Sequence, residues 1–329
     1  MDKINGQRKS KLLNNLLDTL QSKYVFPEAA EKMTEHINKN ISSGAYDEME
    51  SLADLCRLLT EQLQEVSKDK HLIVEYSQQV LPEEEKDKKI DMWEPDKQTT
   101  EEYNFGFVKV ERFPGNIGYL DLRLFYPPYM AAETCHAAMA FLAKTNALIL
   151  DLRQNGGGES DMVALLLSYF FPPKPVLLNT FYFREGDRMQ QSWTLPYLPG
   201  ARYLDKALYV LTSNSTFSGA EECAYDLQQL KRATLVGETT YGGAHTVDSY
   251  RLEDHVQVFI PNGRVINPVT GTDWEGVGVK PDIEVPADEA FDYAYKSALQ
   301  KLKADVEQGT LKLAMRTLDE VKEELSERV

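Results

Sequence analysis

The chain is poor in cysteine. Cys56, Cys135 and Cys223 are its only three in 329 residues, an odd number with no C-x-x-C spacing. That excludes a disulfide framework or a zinc ribbon as the organising device, and leaves small buried thiols on helical segments as the reading. Histidine is scarce too. His36, His71, His136, His245 and His255 form no H-E-x-x-H and no i, i+4 pair, so no metal is expected. The phosphate loop G-x-x-x-x-G-K-[ST] and the dinucleotide fingerprint are missing, and no cofactor is expected. Long apolar runs are also missing. The opening MDKINGQRKSKLL is polar, so neither a signal peptide nor a membrane span is expected, and a cytoplasmic location follows. Positive charge is in deficit: 36 Lys and Arg against 52 Asp and Glu give a net charge of −16. That argues against nucleic acid and against an anionic membrane surface as partners.

What remains is a chain long enough to bury a sizeable core. Residues 8–80 carry apolar positions at helical spacing, such as Leu12, Leu13, Leu16, Leu17 and Leu20, then Leu52, Leu55, Leu58, Leu59 and Leu63. The break Tyr24-Val-Phe-Pro-Glu28 separates the first two helices. Residues 82–104 are charged, lack apolar periodicity, and read as a linker or flap. From Phe105 strands and helices alternate: strands around a Pro114-Gly115 turn, a helix over 130–144, a strand over 147–153, a helix over 161–171, and strands near 176–184 and 207–212. The segment 248–267 reads as strands joined by turns at Glu253-Asp254 and Asn262-Gly263, and the tail after Pro286 as helical. The expected fold class is α/β with a partly parallel sheet. The expected organisation is a helical N-terminal subdomain over 1–83, a charged linker over 84–104, an α/β core over 105–286 and a helical segment over 287–329.

Two junctions carry candidate chemistry. Ala207–Leu211 reads as a buried strand and Gly219–Leu230 as a helix, with Ser218 at the helix N-terminus. Unpaired N–H groups and the helix dipole favour negative charge there. A serine oxygen so placed, with Gly219 N–H beside it, suits a nucleophile whose oxyanion is held by backbone donors. Ser218-Gly-Ala-Glu221 is equally a capping box, which alone accounts for a serine. The second junction is Asn155-Gly-Gly-Gly158, where glycines after a buried strand expose N–H groups. It reads as an oxyanion-hole partner through Gly157 or Gly158, or as a plain tight turn. A serine nucleophile needs a base, and histidine is the usual one near neutral pH. His71 and His245 sit on connecting segments, where function concentrates. His36, His136 and His255 read as packing or surface residues.

The ordered set GNIGYLDL, LILDLRQNGGG, TSNSTFSGAEECAYDLQQLKRATLVGETT and EGVGVKPDIEV resembles the S41 peptidase family. The resemblance covers roughly residues 105–290 and extends to YVFPEAAEKM near the start. It implies a crotonase-like (ClpP-like) β-β-α superhelix core, a serine peptidase activity and a peptide or protein substrate. It matches Ser218 to the nucleophile, and Gly219 with the 156–158 loop to the oxyanion hole. The family's tail-processing members use a Ser/Lys dyad, but no lysine stands between Lys231 and Lys280 here. The chain is therefore more similar to the tricorn-core and retinoid-binding-like branch, whose base is histidine. His71 in Asp-Lys-His-Leu matches that histidine, and Glu275 in Trp-Glu-Gly-Val matches the glutamate that completes the set. His245 is the alternative base. The competing function is a non-catalytic binder of apolar ligands or peptides on the same core.

Overall fold

The computed structural model describes residues 4–82 and 97–327. Most of the charged stretch expected as a linker or flap lies outside the described residues, and its end forms a short helix, α4 (Lys97–Glu102). The described chain divides into two compact units that interleave along the sequence. The first takes residues 1–92, 180–190 and 243–266, and the second takes 93–179, 191–242 and 267–329. Among the described residues no helix is long and apolar enough to cross a membrane.

In the first unit, α1 (Gly6–Lys23), α2 (Pro27–Ser42) and α3 (Leu52–Ser67) begin where the chain supplies starting signals. The Asn5 side chain accepts from Arg8 N–H at 2.9 Å, Pro27 stands in the first turn of α2, and Ser51 accepts from Asp54 N–H. The leucine stripes of α1 and α3 are buried together with Leu72 and Val74 of the α3–β1 region and with Leu252, Val256, Val258 and Ile260. Those last residues belong to an antiparallel sheet. Its centre is β10 (Val256–Ile266), flanked by β1 (Ile73–Tyr76), β9 (Thr246–Glu253) and β5 (Leu177–Phe183), with β6 (Arg188–Trp193) beyond β5.

The expected turn at Asn262-Gly263 is absent, because β10 runs straight through that dipeptide. The register shifts between Pro261 and Gly263 as β10 passes from pairing β9 to pairing β5. A Cβ at Gly263 would come 2.5 Å from Thr246 Oγ1 and 2.7 Å from the Tyr182 carbonyl. The glycine serves close strand packing at an irregularity rather than chain reversal.

The second unit is built on a six-stranded sheet, in the order β11 (Ile283–Glu284), β8 (Thr234–Gly237), β7 (Ala207–Thr212), β4 (Ala147–Asp151), β3 (Ile117–Leu122), β2 (Phe107–Phe113). Only β2 and β3 are antiparallel; the other pairs are parallel. The central strands are buried along essentially their whole length, as parallel strands covered on both faces must be. Ile117, Tyr119, Ile149, Tyr209 and Leu211 pack with Ala294, Tyr295, Ala298 and Leu299 of α8 (Ala290–Glu307) and with Val321 of α9 (Met315–Glu327). The alternate residues Leu120, Leu148, Leu150 and Val210 are fully buried on the other face. The remaining helices are α5 (Pro128–Leu142), α6 (Ser160–Ser168) and α7 (Gly219–Gln229). Because β4 and β7 are parallel neighbours, with Asp151 opposite Leu211, the connections leaving them emerge side by side.

Ile149 is fully buried at the middle of this sheet. Ile149→Ala should cost about 2–5 kcal/mol in urea unfolding followed by circular dichroism, the range for a large-to-small core change. Val108→Ala, on a residue half exposed on β2, should stay within about 0.5 kcal/mol of the parent. Equal effects of the two would contradict a two-sided core around β4.

Candidate active site

Ser218 stands immediately before α7, at the end of the connection that leaves β7. Its backbone has φ 53° and ψ −121°, a left-handed conformation that L-residues avoid. Such strain, on the order of 1–3 kcal/mol, persists only where neighbours over-determine the backbone. The neighbours are present. Ser218 N–H donates to Glu221 Oε2 at 2.9 Å, the glutamate half of the capping box read from the sequence. Glu221 is fully buried, and its Oε1 accepts from Gly242 N–H at 2.7 Å and from the Thr240 hydroxyl. The Thr240 hydroxyl oxygen accepts from Val279 N–H, and the Gly242 carbonyl accepts from Gly276 N–H at 3.0 Å. One carboxyl therefore ties the serine to the 240–242 segment and, through it, to the residue after Glu275.

The approach to Ser218 is equally constrained. Thr216 Oγ1 donates to the Leu152 carbonyl at 2.8 Å, and Phe217 N–H donates to the Asn155 carbonyl at 3.1 Å. Phe217 and Tyr241 meet edge to face at 5.1 Å. The serine itself is partly exposed.

The glycine loop sits directly against this turn. Gly157 has φ +103° and Gly158 φ +122°, conformations open to glycine alone. A Cβ on Gly157 would lie 2.7 Å from Ser218 Cβ and 2.9 Å from Gly219 N; one on Gly219 would lie 2.8 Å from the Gly158 carbonyl oxygen and 3.2 Å from Gly158 N. The bare backbones of the two junctions are in contact. Asn155 shapes the loop: its Nδ2 donates to the Leu122 carbonyl at 2.9 Å and its Oδ1 accepts from Gly157 N–H at 2.8 Å. Gly157 N–H is thus already engaged. The adjacent N–H groups of Gly158 and Gly219 are the pair at this junction suited to an incoming oxyanion.

Glu275 belongs to the same unit as Ser218 and is partly exposed. Its N–H donates to Asp273 Oδ1 at 2.9 Å, and the neighbouring Trp274 is buried with its ring 5.2 Å from that of Tyr225.

Both histidines belong to the first unit. They meet around Asp69, a residue the sequence reading did not single out. Asp69 is 1% exposed, in the turn between α3 and β1. Its Oδ1 accepts from the backbone N–H of His71 at 3.1 Å; its Oδ2 pairs with His245 Nδ1 at 2.6 Å and accepts from the Tyr24 hydroxyl at 3.0 Å. The Phe26 ring stands edge-on to His245 at 5.4 Å. Burial alone pushes the Asp69 carboxyl up, but the His245 hydrogen bond and charge, the His71 charge and the Tyr24 hydroxyl outweigh it and hold it below its ordinary value. His71 is buried as well. Desolvation drives its imidazole down to about 4, with the Asp69 charge opposing and the His245 charge adding to the fall. His71 is thus a neutral imidazole near neutral pH. Asp69 lies 176 positions from His245 and 45 from Tyr24, too far for spacing to reveal those pairings; the Asp69-Lys70-His71 tripeptide was the available signal.

The family model for peptidase family S41 matches residues 116–285, just over half of the chain. A second model, the N-terminal domain of this peptidase family in eukaryotic IRBP, matches residues 7–111. The chain is 28% identical over 178 residues to a carboxy-terminal-processing protease of Bartonella bacilliformis, a match covering 53% of this chain and 40% of that one. It spans less than half the length of the curated relatives it matches. Among solved structures it is similar in fold to a candidate peptidase of Parabacteroides merdae, at TM-score 0.60 and 20% identity over 90% of this chain and 97% of that one. It is also similar in fold to the tricorn protease, at TM-score 0.60 and 14% identity over 90% of this chain and 37% of that one. With the family model spanning the glycine loop, the strained serine and Glu275, the chain belongs to peptidase family S41.

Proposed function

We propose that the protein is a serine peptidase whose nucleophile is Ser218, carried on a crotonase-like core in the second unit. The observation that carries the reading is the strained Ser218 backbone pressed against the Gly157–Gly158 loop. A capped helix needs neither the strain nor the contact. The Ser218 hydroxyl attacks the carbonyl carbon of a peptide or protein substrate. Gly158 and Gly219 N–H groups take the developing oxyanion, and Gly157 contributes by having no side chain where the nucleophile must sit. An extended substrate suits a fold rich in strand edges.

His71 is the general base in this reading, oriented by Glu275, as the family resemblance implies. It takes the Ser218 proton on attack and returns it to the leaving amine. Its neutral state is what a proton acceptor requires. A second reading makes His245 the base, because its Nδ1 is held by a buried carboxylate in the manner of an oriented catalytic imidazole.

Four measurements decide these roles. A fluorophosphonate probe should label the parent protein and not Ser218→Ala; equal labelling of the two removes the nucleophile assignment. Gly157→Ala should lower turnover about 10²–10³-fold, the typical loss for a damaged oxyanion hole, with peptide binding nearly unchanged. A base must be unprotonated, so activity falls as pH drops through its pKa. With His71 as base, the acid limb of kcat/KM lies near pH 4, far below an ordinary histidine. His71→Ala should abolish turnover while His245→Ala leaves a residue of it; the opposite ranking hands the role to His245.

A further inference from the structure

One polar cluster in the second unit is not used by the proposed chemistry. Glu222 and Asp226 sit one turn apart on α7 and are buried to 3% and 0% exposure. Asn179 Nδ2 donates to Asp226 Oδ2 at 2.8 Å and more weakly to Glu222 Oε1 at 3.4 Å. Asn267 Nδ2 donates to Asp226 Oδ1 at 3.1 Å. Ser160 Oγ donates to Glu222 Oε2 at 2.6 Å. The titratable groups facing Glu222 are Glu159 and Asp161 at the start of α6 and, on its own helix, Asp226 and the thiol of Cys223; none is basic. Asn179 and Asn267 are neutral. Two enclosed carboxyls joined by neutral amides do not both ionise at neutral pH.

The location gives the cluster its consequence. Ser160 begins α6 two residues after Gly158, and Glu222 lies in the first turns of α7, which starts at Gly219. The Ser160–Glu222 hydrogen bond therefore ties together the two helix starts that carry the two oxyanion donors. We propose that Glu222, held by Ser160, is a positioning residue that fixes the spacing of the Gly158 and Gly219 N–H groups. This rests on the reading of Ser218 as nucleophile. Glu222 touches no reacting atom; it acts through two backbones, and a displacement of about 1 Å there is enough to cost on the order of 10²-fold in rate.

The pair also leaves a signature of its own. Burial, opposed by the Ser160 and Asn179 hydrogen bonds and reinforced by the charges of Asp161 and Glu159, raises the Glu222 carboxyl to about 7. In the unfolded chain it returns to the ordinary carboxylate range. Between that range and about pH 7 the native state holds a proton the unfolded chain has released. Stability therefore falls as pH rises through that window.

The test combines labelling rate with stability. The parent is first labelled with the fluorophosphonate. Failure there overturns the nucleophile reading and this inference with it. If the parent reacts, Ser160→Ala should react about 10²-fold more slowly and lose kcat with KM within twofold, its circular dichroism spectrum unchanged. Ser160→Thr, which keeps the hydroxyl donor, should recover most of the rate. A Ser160→Ala protein that reacts within twofold of the parent overturns the positioning role and leaves Ser218 untouched as nucleophile. Independently of any activity, Glu222→Gln should flatten the decline of thermal stability between about pH 5 and 8. A slope equal to the parent's overturns the raised Glu222 carboxyl. Should Ser160→Ala fail to fold, Glu222→Leu, which removes the acceptor for Ser160, supplies the rate comparison: a loss of about 10²-fold is expected, and labelling within twofold of the parent overturns the role.

Discussion

The geometry around Ser218 in the second unit depends on the carboxyl of Glu221. A serine held at φ 53° carries a strain of about 1–3 kcal/mol, and the helix it begins does not require it. Glu221 accepts from Ser218 N–H, from Gly242 N–H and from the Thr240 hydroxyl while wholly enclosed. At about 0.5–1.5 kcal/mol each, three such bonds are commensurate with the strain they hold. Losing Glu221 would release the serine turn, orphan a buried amide and detach the segment that anchors Gly276. A single side chain thus ties the Ser218 turn to the 240–242 segment and, through Gly242, to Gly276.

Parallel strands supply the complementary constraint. β4 and β7 are neighbours in register, so the loops that follow them must share the same few ångströms above the sheet. Side chains do not fit there, and the hypothetical Cβ contacts at Gly157 and Gly219 show how little room exists. The glycines are the consequence of the approach, and a junction lined by bare backbone is the consequence of the glycines. Asn155 then sorts those donors by occupying Gly157 N–H, leaving its neighbours turned to other uses.

The first unit solves a different problem, the placement of a carboxylate among imidazoles in a buried turn. Asp69 stays charged because His245 and Tyr24 both hydrogen-bond it, and its presence keeps His71 from falling further. The cost of burying these groups is offset mutually, with the Asp69 carboxyl held below its ordinary value and the His71 imidazole neutral.

Much of this was legible in the chain. Leucine spacing gave the helices α1 and α3, strand–helix alternation gave the mixed α/β class, and Ser218-Gly with Asn155–Gly158 stood out because glycines clustered after buried strands. These are local signals, set by periodicity and by backbone conformations open to few residues. The Asn262-Gly263 dipeptide misled for the same reason: its local preference for a turn was overruled by two neighbouring strands that needed a bare backbone. The Asp69–His245 pair, the Ser160–Glu222 bond and the Glu221 bridge join residues 176, 62 and about 20 positions apart. Sequence by itself determined which segments are helix or strand and where a strained turn is permitted, since those depend on neighbours along the chain. Only the tertiary structure decided which carboxyl faces which imidazole or amide, because hydrogen-bond partners and desolvation are properties of the packed interior.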